Sequence, residues 1–441
     1  MDTMPDQPTL QRIVIAGGGA GGLELAARLG RRFGPARVFL IDRSPFHIWK
    51  PSLHEVAAGT LDIHQEGLSY RMLGHINGFS FVPGSIASID RQAKRVQLAP
   101  LLDEQGVLVL PERSIPYDGL VLALGSLGNF FGTPGAEEHA IALDTTASAE
   151  HFRATLLRAV VRADDRRATG EGAPLVHLVI VGGGATGVEL AAELRDAGNL
   201  ASDYTQGDFD PMRDISITVV EVGPRLLGPL PERVSTSALA ALQRRRIRVE
   251  TDTRIAEVRA DSVLTADGRV LPADLCVWAA GISAPTVLRA LELPLNRVGQ
   301  IVVDAHLATP DPAVFALGDC AAAPRVDAEG TVPARAQAAH QQAAYLAKRL
   351  GMLMRGGTPD NTPFRYTEHG SLVSLGTQSS VGSLMGGLMD RGFFVSGLVA
   401  RLMYMSLHLM HHYTVLGLGR TISLAFGRLL LRRTHPRVKL H

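Results

Sequence analysis

Two copies of one short pattern constrain this chain more than anything else in it: an apolar strand that runs into glycines and then into a helix. The first copy reads RIVIAGGGAGGLELAARL, with a strand from Ile13 to Ala16 and helical spacing of Leu23, Ala26, Ala27 and Leu29. Gly17, Gly19 and Gly22 fit G-x-G-x-x-G, and the next strand, RVFLID, ends in Asp42. The second copy reads HLVIVGGGATGVELAAEL, with a strand from His177 to Val181, glycines Gly182, Gly184 and Gly187, and a helix through Leu190, Ala191 and Leu194. Its following strand, ISITVVE, ends in Glu221 after a polar, turn-rich insertion, NLASDYTQGDFDPMR. A single such motif is weak evidence, but two in the same context reinforce each other. The first glycine permits a tight turn, the second lets backbone approach a pyrophosphate, and the third lets helix and strand pack closely, while the helix N-terminus offers N–H groups to the anion. The pattern predicts an α/β chain with two Rossmann-like dinucleotide sites.

Composition narrows the class. With 441 residues, 46% hydrophobic and 20% charged, the chain is an ordinary globular one of about two domains with an appendage. Cys276 and Cys320 are too few for a disulfide framework or a four-thiolate metal site, and no basic n-region precedes the first apolar stretch, so the expectation is a cytosol-facing, unexported protein. Charge is unevenly placed. No acid follows Asp390, whereas eight basic residues do, which leaves 36 of the 44 basic groups against all 43 acids in the body. An acidic body argues against nucleic-acid binding; the basic end points to an anionic surface.

Two further strand-like runs end in small residues, YDGLVLALGS (Tyr117 to Ser126) and AVFALGDCA (Ala313 to Ala321). With the glycine motifs they resemble the flavoproteins that carry two dinucleotide-binding domains, one for FAD and one for NAD(P)H. FHIWKPSLHEVAAGTLD (Phe46 to Asp62), WAAGISAP (Trp278 to Pro285), ARAQAAHQQ (Ala334 to Gln342) and the terminal HPRVKLH are similar to the bacterial type II NADH dehydrogenases, single-subunit, non-pumping NADH:quinone oxidoreductases, over nearly the full length. The resemblance implies an FAD domain over residues 1–125 and 295–370, an inserted NADH domain over 126–294, and an amphipathic helical, membrane-associating segment over 371–441. It implies FAD contacts from Gly17, Gly19, Gly22, Asp42, Lys50, Gly125, Gly318, Asp319 and Ala336, and NADH contacts from Gly182, Gly184, Gly187, Glu221 and Gly281. The acceptor would be a membrane quinone, ubiquinone or menaquinone.

Hydride transfer leaves the cofactors to carry the chemistry and the protein to position them. Lys50 is one of four lysines and sits in a proline-containing turn after the second strand; a flavin neighbour and a solvated loop lysine both fit. His54 and Glu55 read equally as helix caps. Glu189, two residues past Gly187, falls where related flavoproteins bring an acid toward nicotinamide and flavin, although an acid there also suits the helix dipole; Glu193 follows one turn later. Glu221 at a strand end favours a 2′-hydroxyl over a 2′-phosphate, hence NADH over NADPH. Gln337 and Gln341 share one face of an alanine-rich helix, where neutral amides could meet quinone oxygens; a polar surface face is the alternative. Lys50, Glu189, Glu193, Gln337 and Gln341 are the expected catalytic set. The absence of a C-x-x-C motif argues against a dithiol relay.

Residues 402–419 form an uncharged run that includes three histidines, too polar for a comfortable bilayer span. On a helix, Phe394, Leu398, Leu402, Met405 and Leu409 align, as do Ile422, Phe426, Leu429 and Leu430, with Arg428 and Arg432 on another side. The expectation is peripheral attachment to the cytoplasmic face of the inner membrane, with core or dimer-interface helices as the competing reading and a homodimer left open. His408, His411 and His412 have metal-like spacing but no nearby carboxylate in sequence, so no metal is expected. A soluble reductase serving an electron-carrier protein and a flavoprotein without fast turnover are the rival functions.

Overall fold

The computed structural model describes residues 10–168, 176–202, 210–376, 380–384 and 393–431. The basic residues Arg391, Arg432, Arg433, Arg437 and Lys439 and the HPRVKLH segment lie outside them. Both glycine motifs fold as their pattern predicts. Ile13–Ala16 is fully buried and sits at the centre of a five-stranded parallel sheet in the order 314–316, 119–122, 13–16, 38–42, 80–83. Continuous apolar strands of this kind belong to parallel sheets covered on both faces. Helix α1 (Ala20–Phe33) leaves the glycine turn, α2 (Leu53–Ala58) follows the second strand, and α3 (Tyr70–Asn77) covers one side.

The second sheet repeats the first: 140–142, 275–278, 176–181, 215–220, 248–250, again all parallel and again centred on the glycine strand. Helix α4 (Ala185–Ser202) leaves that turn. Where the chain enters and leaves this second unit, Leu127–Gly128 and Ile282–Ser283 pair antiparallel, so the two connections cross together. Each sheet has its own core, but the division does not follow the chain strictly. Leu53, Val56 and Ala57 of α2 pack into the second core, and Ala284, Leu288 and Leu291 pack into the first.

The chain returns through α5 (Ala336–Leu353), which crosses α1 where side chains are smallest: a Cβ on Gly21 would stand 3.1 Å from that of Ala339. The C-terminal segment then differs from the expected run of helix. Strands 371–374, 380–384 and 393–396 form an antiparallel sheet, and Phe394, placed above on a helical stripe, lies in the last of them. FFVS is aromatic and β-branched, and Gly397 at φ 68 separates it from helix α6 (Gly397–Leu416). Helix α7 (Leu418–Leu431) ends the described chain. Among the described residues no helix is long and apolar enough to cross a membrane.

Candidate active site

The two glycine turns are closed by the same device. At the first, Gly18 N–H donates to Asp42 Oδ2 at 2.7 Å; at the second, Gly183 N–H donates to Glu221 Oε2 at 2.7 Å. Glu221 also accepts from Gly223 N–H at 2.7 Å. The acid at each strand end thus latches its turn, a role that the ribose argument alone does not reveal. Burial raises the Asp42 carboxyl, and the backbone N–H groups of Ser44 and Gly18 oppose the rise.

The glycines divide by role. A Cβ on Gly22 would lie 1.9 Å from Gly17 O, and one on Gly187 would lie 2.0 Å from Gly182 O, so both positions exclude any side chain. Gly19 and Gly184 meet nothing within 4 Å: these are the open faces of the two turns. Helix α1 carries no side-chain cap, and neither does α5, whose first residue is Ala336. Their unpaired N–H groups suit anionic ligands. An open second glycine beside an uncapped helix end is the cradle a dinucleotide pyrophosphate needs, and the residues present fit FAD at the first turn.

Lys50, the residue after Gly125, and Asp319 converge, although they come from three distant segments. Lys50 Nζ donates to Ser126 O at 2.7 Å, and Ser126 Oγ donates to Asp319 Oδ2 at 2.8 Å. Gly318 N–H donates to Gln342 Oε1 at 2.7 Å, and Gln300 Nε2 donates to Asp319 O at 2.8 Å. Ser126, Gln300 and Gln342 were not singled out from the sequence. The LGS end of the strand and the second glutamine of AHQQ were the available signals.

Glu189 and Glu193 lie on α4, facing α2 and the strand 371–374. Glu189 Oε1 accepts from Ser374 N–H at 2.9 Å and Oε2 lies 3.6 Å from His54 Nδ1. Burial pushes Glu189 up to about 8, helped by the neighbouring Glu55 and Glu193 and opposed by the Ser374 N–H. Burial drives His54 down to about 4. The pair is therefore a neutral acid beside a neutral imidazole at pH 7. Thr60 Oγ1 donates to Glu193 Oε1 at 2.6 Å. His54 is buried inside α2 and caps nothing.

Gln337 and Gln341 hold the segment 367–370 against α5. Gln341 accepts from Thr367 N–H at 2.9 Å and donates to Thr367 O at 2.8 Å, while Gln337 donates to Gly370 O at 3.0 Å. Arg335 pairs with Glu368 at 2.7 Å. Gly281 lies under the ring of Phe131, which a Cβ there would strike at 2.2 Å. Cys276 and Cys320 are both buried, which pushes their thiols up to about 12 and about 11. Buried thiols of this kind are poor nucleophiles.

The histidine run of α6 did find a carboxylate, but not a nearby one. His411 Nδ1 lies 2.9 Å from Glu24 Oε1 of α1. No acid follows Asp390, and the fold supplies one from the opposite end of the chain.

Comparison with known proteins gives the family and the fold. The pyridine nucleotide-disulphide oxidoreductase family matches residues 11–343. A type II NADH:quinone oxidoreductase of Haemophilus influenzae is 40% identical over 98% of this chain and 100% of its own. The demethylphylloquinone reductase NdbB of Synechocystis is 30% identical over 85% of this chain and 87% of its own. Among solved structures, NDH2 of Plasmodium falciparum in complex with NADH superposes with a TM-score of 0.78 at 18% identity, covering 98% of this chain and 99% of that one.

Proposed function

The chain belongs to the pyridine nucleotide-disulphide oxidoreductases and, within them, to the type II NADH:quinone oxidoreductases, and on that premise we propose a specific division of labour among its residues. It takes electrons from NADH through FAD to a quinone, without pumping protons, and so feeds a respiratory chain. The net change is NADH + H⁺ + quinone → NAD⁺ + quinol. Bound FAD supplies the hydride-accepting and two-electron-donating chemistry.

The observation that carries the reading is the pair of acid-latched glycine turns, each with an open second glycine, in one chain. In our reading residues 1–125 and 295–370 form the FAD domain, 126–294 the NADH domain and 371–441 the membrane-associating segment. Gly17, Gly19 and Gly22 admit the FAD pyrophosphate; Asp42 fixes that turn. Gly125, Asp319 and Ala336 would hold the flavin, and Lys50, anchored on Ser126, would offer it a positive charge. Gly182, Gly184, Gly187 and Gly281 admit NADH, and Glu221 disfavours a 2′-phosphate. Glu189, buried and neutral at pH 7, would help to keep water from the nicotinamide and flavin, as would the buried Glu193. Gln337 and Gln341 line the quinone side with amides that bind without an ionic penalty.

The membrane reading is supported by Leu409, Met410, Leu418, Ile422 and Phe426, all exposed on α6 and α7. Exposed apolar side chains beside a basic, acid-free segment suit peripheral attachment to an anionic leaflet, and we assign the cytoplasmic face.

The test is NADH oxidation by the FAD-loaded protein with a soluble quinone analogue, beside NADPH and beside Gln341→Leu. Rapid turnover with NADH, poor turnover with NADPH, and a variant whose flavin NADH still bleaches but quinone reoxidises slowly are expected. Bleaching without reoxidation by any quinone would overturn the acceptor assignment.

A further inference from the structure

Behind the first glycine turn lies a buried polar chain that the reaction above does not use. Gly18 O accepts from Tyr70 OH at 2.6 Å and faces His47 Nδ1 at 3.1 Å. His47 Nε2 lies 2.8 Å from His411 Nε2, and His411 Nδ1 lies 2.9 Å from Glu24 Oε1. The second Glu24 oxygen lies 2.6 Å from His340 Nδ1 on α5. Glu24, His47 and His411 are 1%, 4% and 4% exposed. Four remote segments meet here: α1, the loop after the second strand, α5 and the C-terminal helix.

The proton count is fixed by the ends of the chain. Gly18 O and the Glu24 carboxylate are both acceptors, so His47 Nδ1 and His411 Nδ1 must each carry hydrogen. The two Nε2 atoms then face each other at 2.8 Å. Two lone pairs repel at that distance, so one proton must lie between them. The two imidazoles together hold three protons, one more than two neutral rings, and the carboxylate balances the charge.

We propose that Glu24, His47 and His411 are positioning residues for the flavin site, fastening α6 to the carbonyl of Gly18 through one proton shared by two buried imidazoles, so that FAD retention depends on the docked tail. The amide of the same Gly18 residue closes on Asp42. Holding the carbonyl from behind keeps the turn in the conformation that opens Gly19 to the pyrophosphate. Other contacts support the docking: Arg31 donates to Thr414 O at 2.9 Å, Asn77 donates to Val415 O at 2.9 Å, and the Trp49 and His408 rings lie 4.9 Å apart.

The docked chain accepts one proton and only one. The His340 and His411 hydrogen bonds outweigh burial and hold Glu24 at about 2, so it stays anionic. Burial and the charge on His411 push His47 well below the ordinary imidazole range, so a second proton is refused. The charged and titratable groups around the pair are Arg28 on α1, Asp42 after the second strand, Tyr70 on α3, His340 on α5, and His408 and His412 on α6. Burial raises Tyr70 well above its ordinary value, so it remains a neutral donor. Undocked, the two imidazoles carry four ring protons in acid and two in alkali, against three when docked. Docking is therefore strongest near the ordinary imidazole range and weakens on both sides, by about tenfold for each pH unit beyond it.

The experiment follows release of FAD by its fluorescence from the full-length holoprotein between pH 5.5 and 9, with hydrogen exchange of residues 400–416 as the measure of docking. The unaltered protein should release FAD slowest near neutrality and faster toward both extremes, in step with exchange of α6. His411→Leu and Glu24→Gln should release FAD about tenfold faster at pH 7 and lose the two-sided profile. Asn77→Ala, which loosens the tail without touching the proton, should speed release equally at every pH. Should His411→Leu yield no folded holoprotein, Glu24→Gln carries the same comparison. Release that is flat with pH in the unaltered protein, or variants at Glu24 and His411 that keep its profile, would overturn the proposal.

Discussion

Glu189 and His54 face each other between two helices that pack into the same core, Oε2 to Nδ1 at 3.6 Å, one on α4 of the second glycine turn and the other on α2. Neither is charged at neutral pH. The folded chain keeps the Glu189 proton up to about 8, whereas an ordinary glutamate releases it at 4.5. Wild-type stability should therefore fall as pH rises between those values. Glu189→Gln, which mimics the protonated form, should remove that slope and gain on the order of 2–4 kcal/mol at pH 8. Urea unfolding at pH 5 and pH 8 measures this; equal slopes would contradict it.

The glycine turns predict a clean separation of function. Gly22→Ala forces a Cβ onto Gly17 O and should abolish FAD binding, whereas Gly187→Ala does the same at Gly182 O and should leave FAD in place. Flavin absorbance reports the first, and loss of bleaching by NADH, by at least about tenfold in affinity, reports the second.

How much of this was legible depends on distance along the chain. Each turn is written in consecutive residues, and Asp42 and Glu221 stand at the end of the next parallel strand, so sequence alone places both turns. The Lys50, Ser126 and Asp319 convergence joins three sheet ends and has no local signature. Glu24 and His411 are 387 residues apart, and a search for neighbouring acids could not pair them. The strands after Ser371 were hidden by an apolar run that suits helix and strand alike.

Gln342 is buried and its carbonyl oxygen is the acceptor for Gly318 N–H. Gln342→Leu should strand that donor at a cost of about 1–3 kcal/mol and shift the visible flavin spectrum, because the turn that carries Asp319 loses its support. Denaturant titration and absorbance together check it.

On the tail, Ile422 and Phe426 are 59% and 60% exposed. Replacing both with serine should weaken binding to anionic vesicles by about tenfold or more, while turnover of a soluble quinone analogue stays the same. Co-sedimentation at low and high salt separates the apolar part from the electrostatic part.

The amide of Asn77 has a consequence for how the protein is made. Buried in the first unit, it donates to Val415 O, a carbonyl synthesised 338 residues later. While the ribosome is still building the second unit, this amide has its local acceptor, Leu73 O, but not Val415 O. That contact closes when α6 comes back to the first unit, so an early part of the nascent chain is completed by a late one.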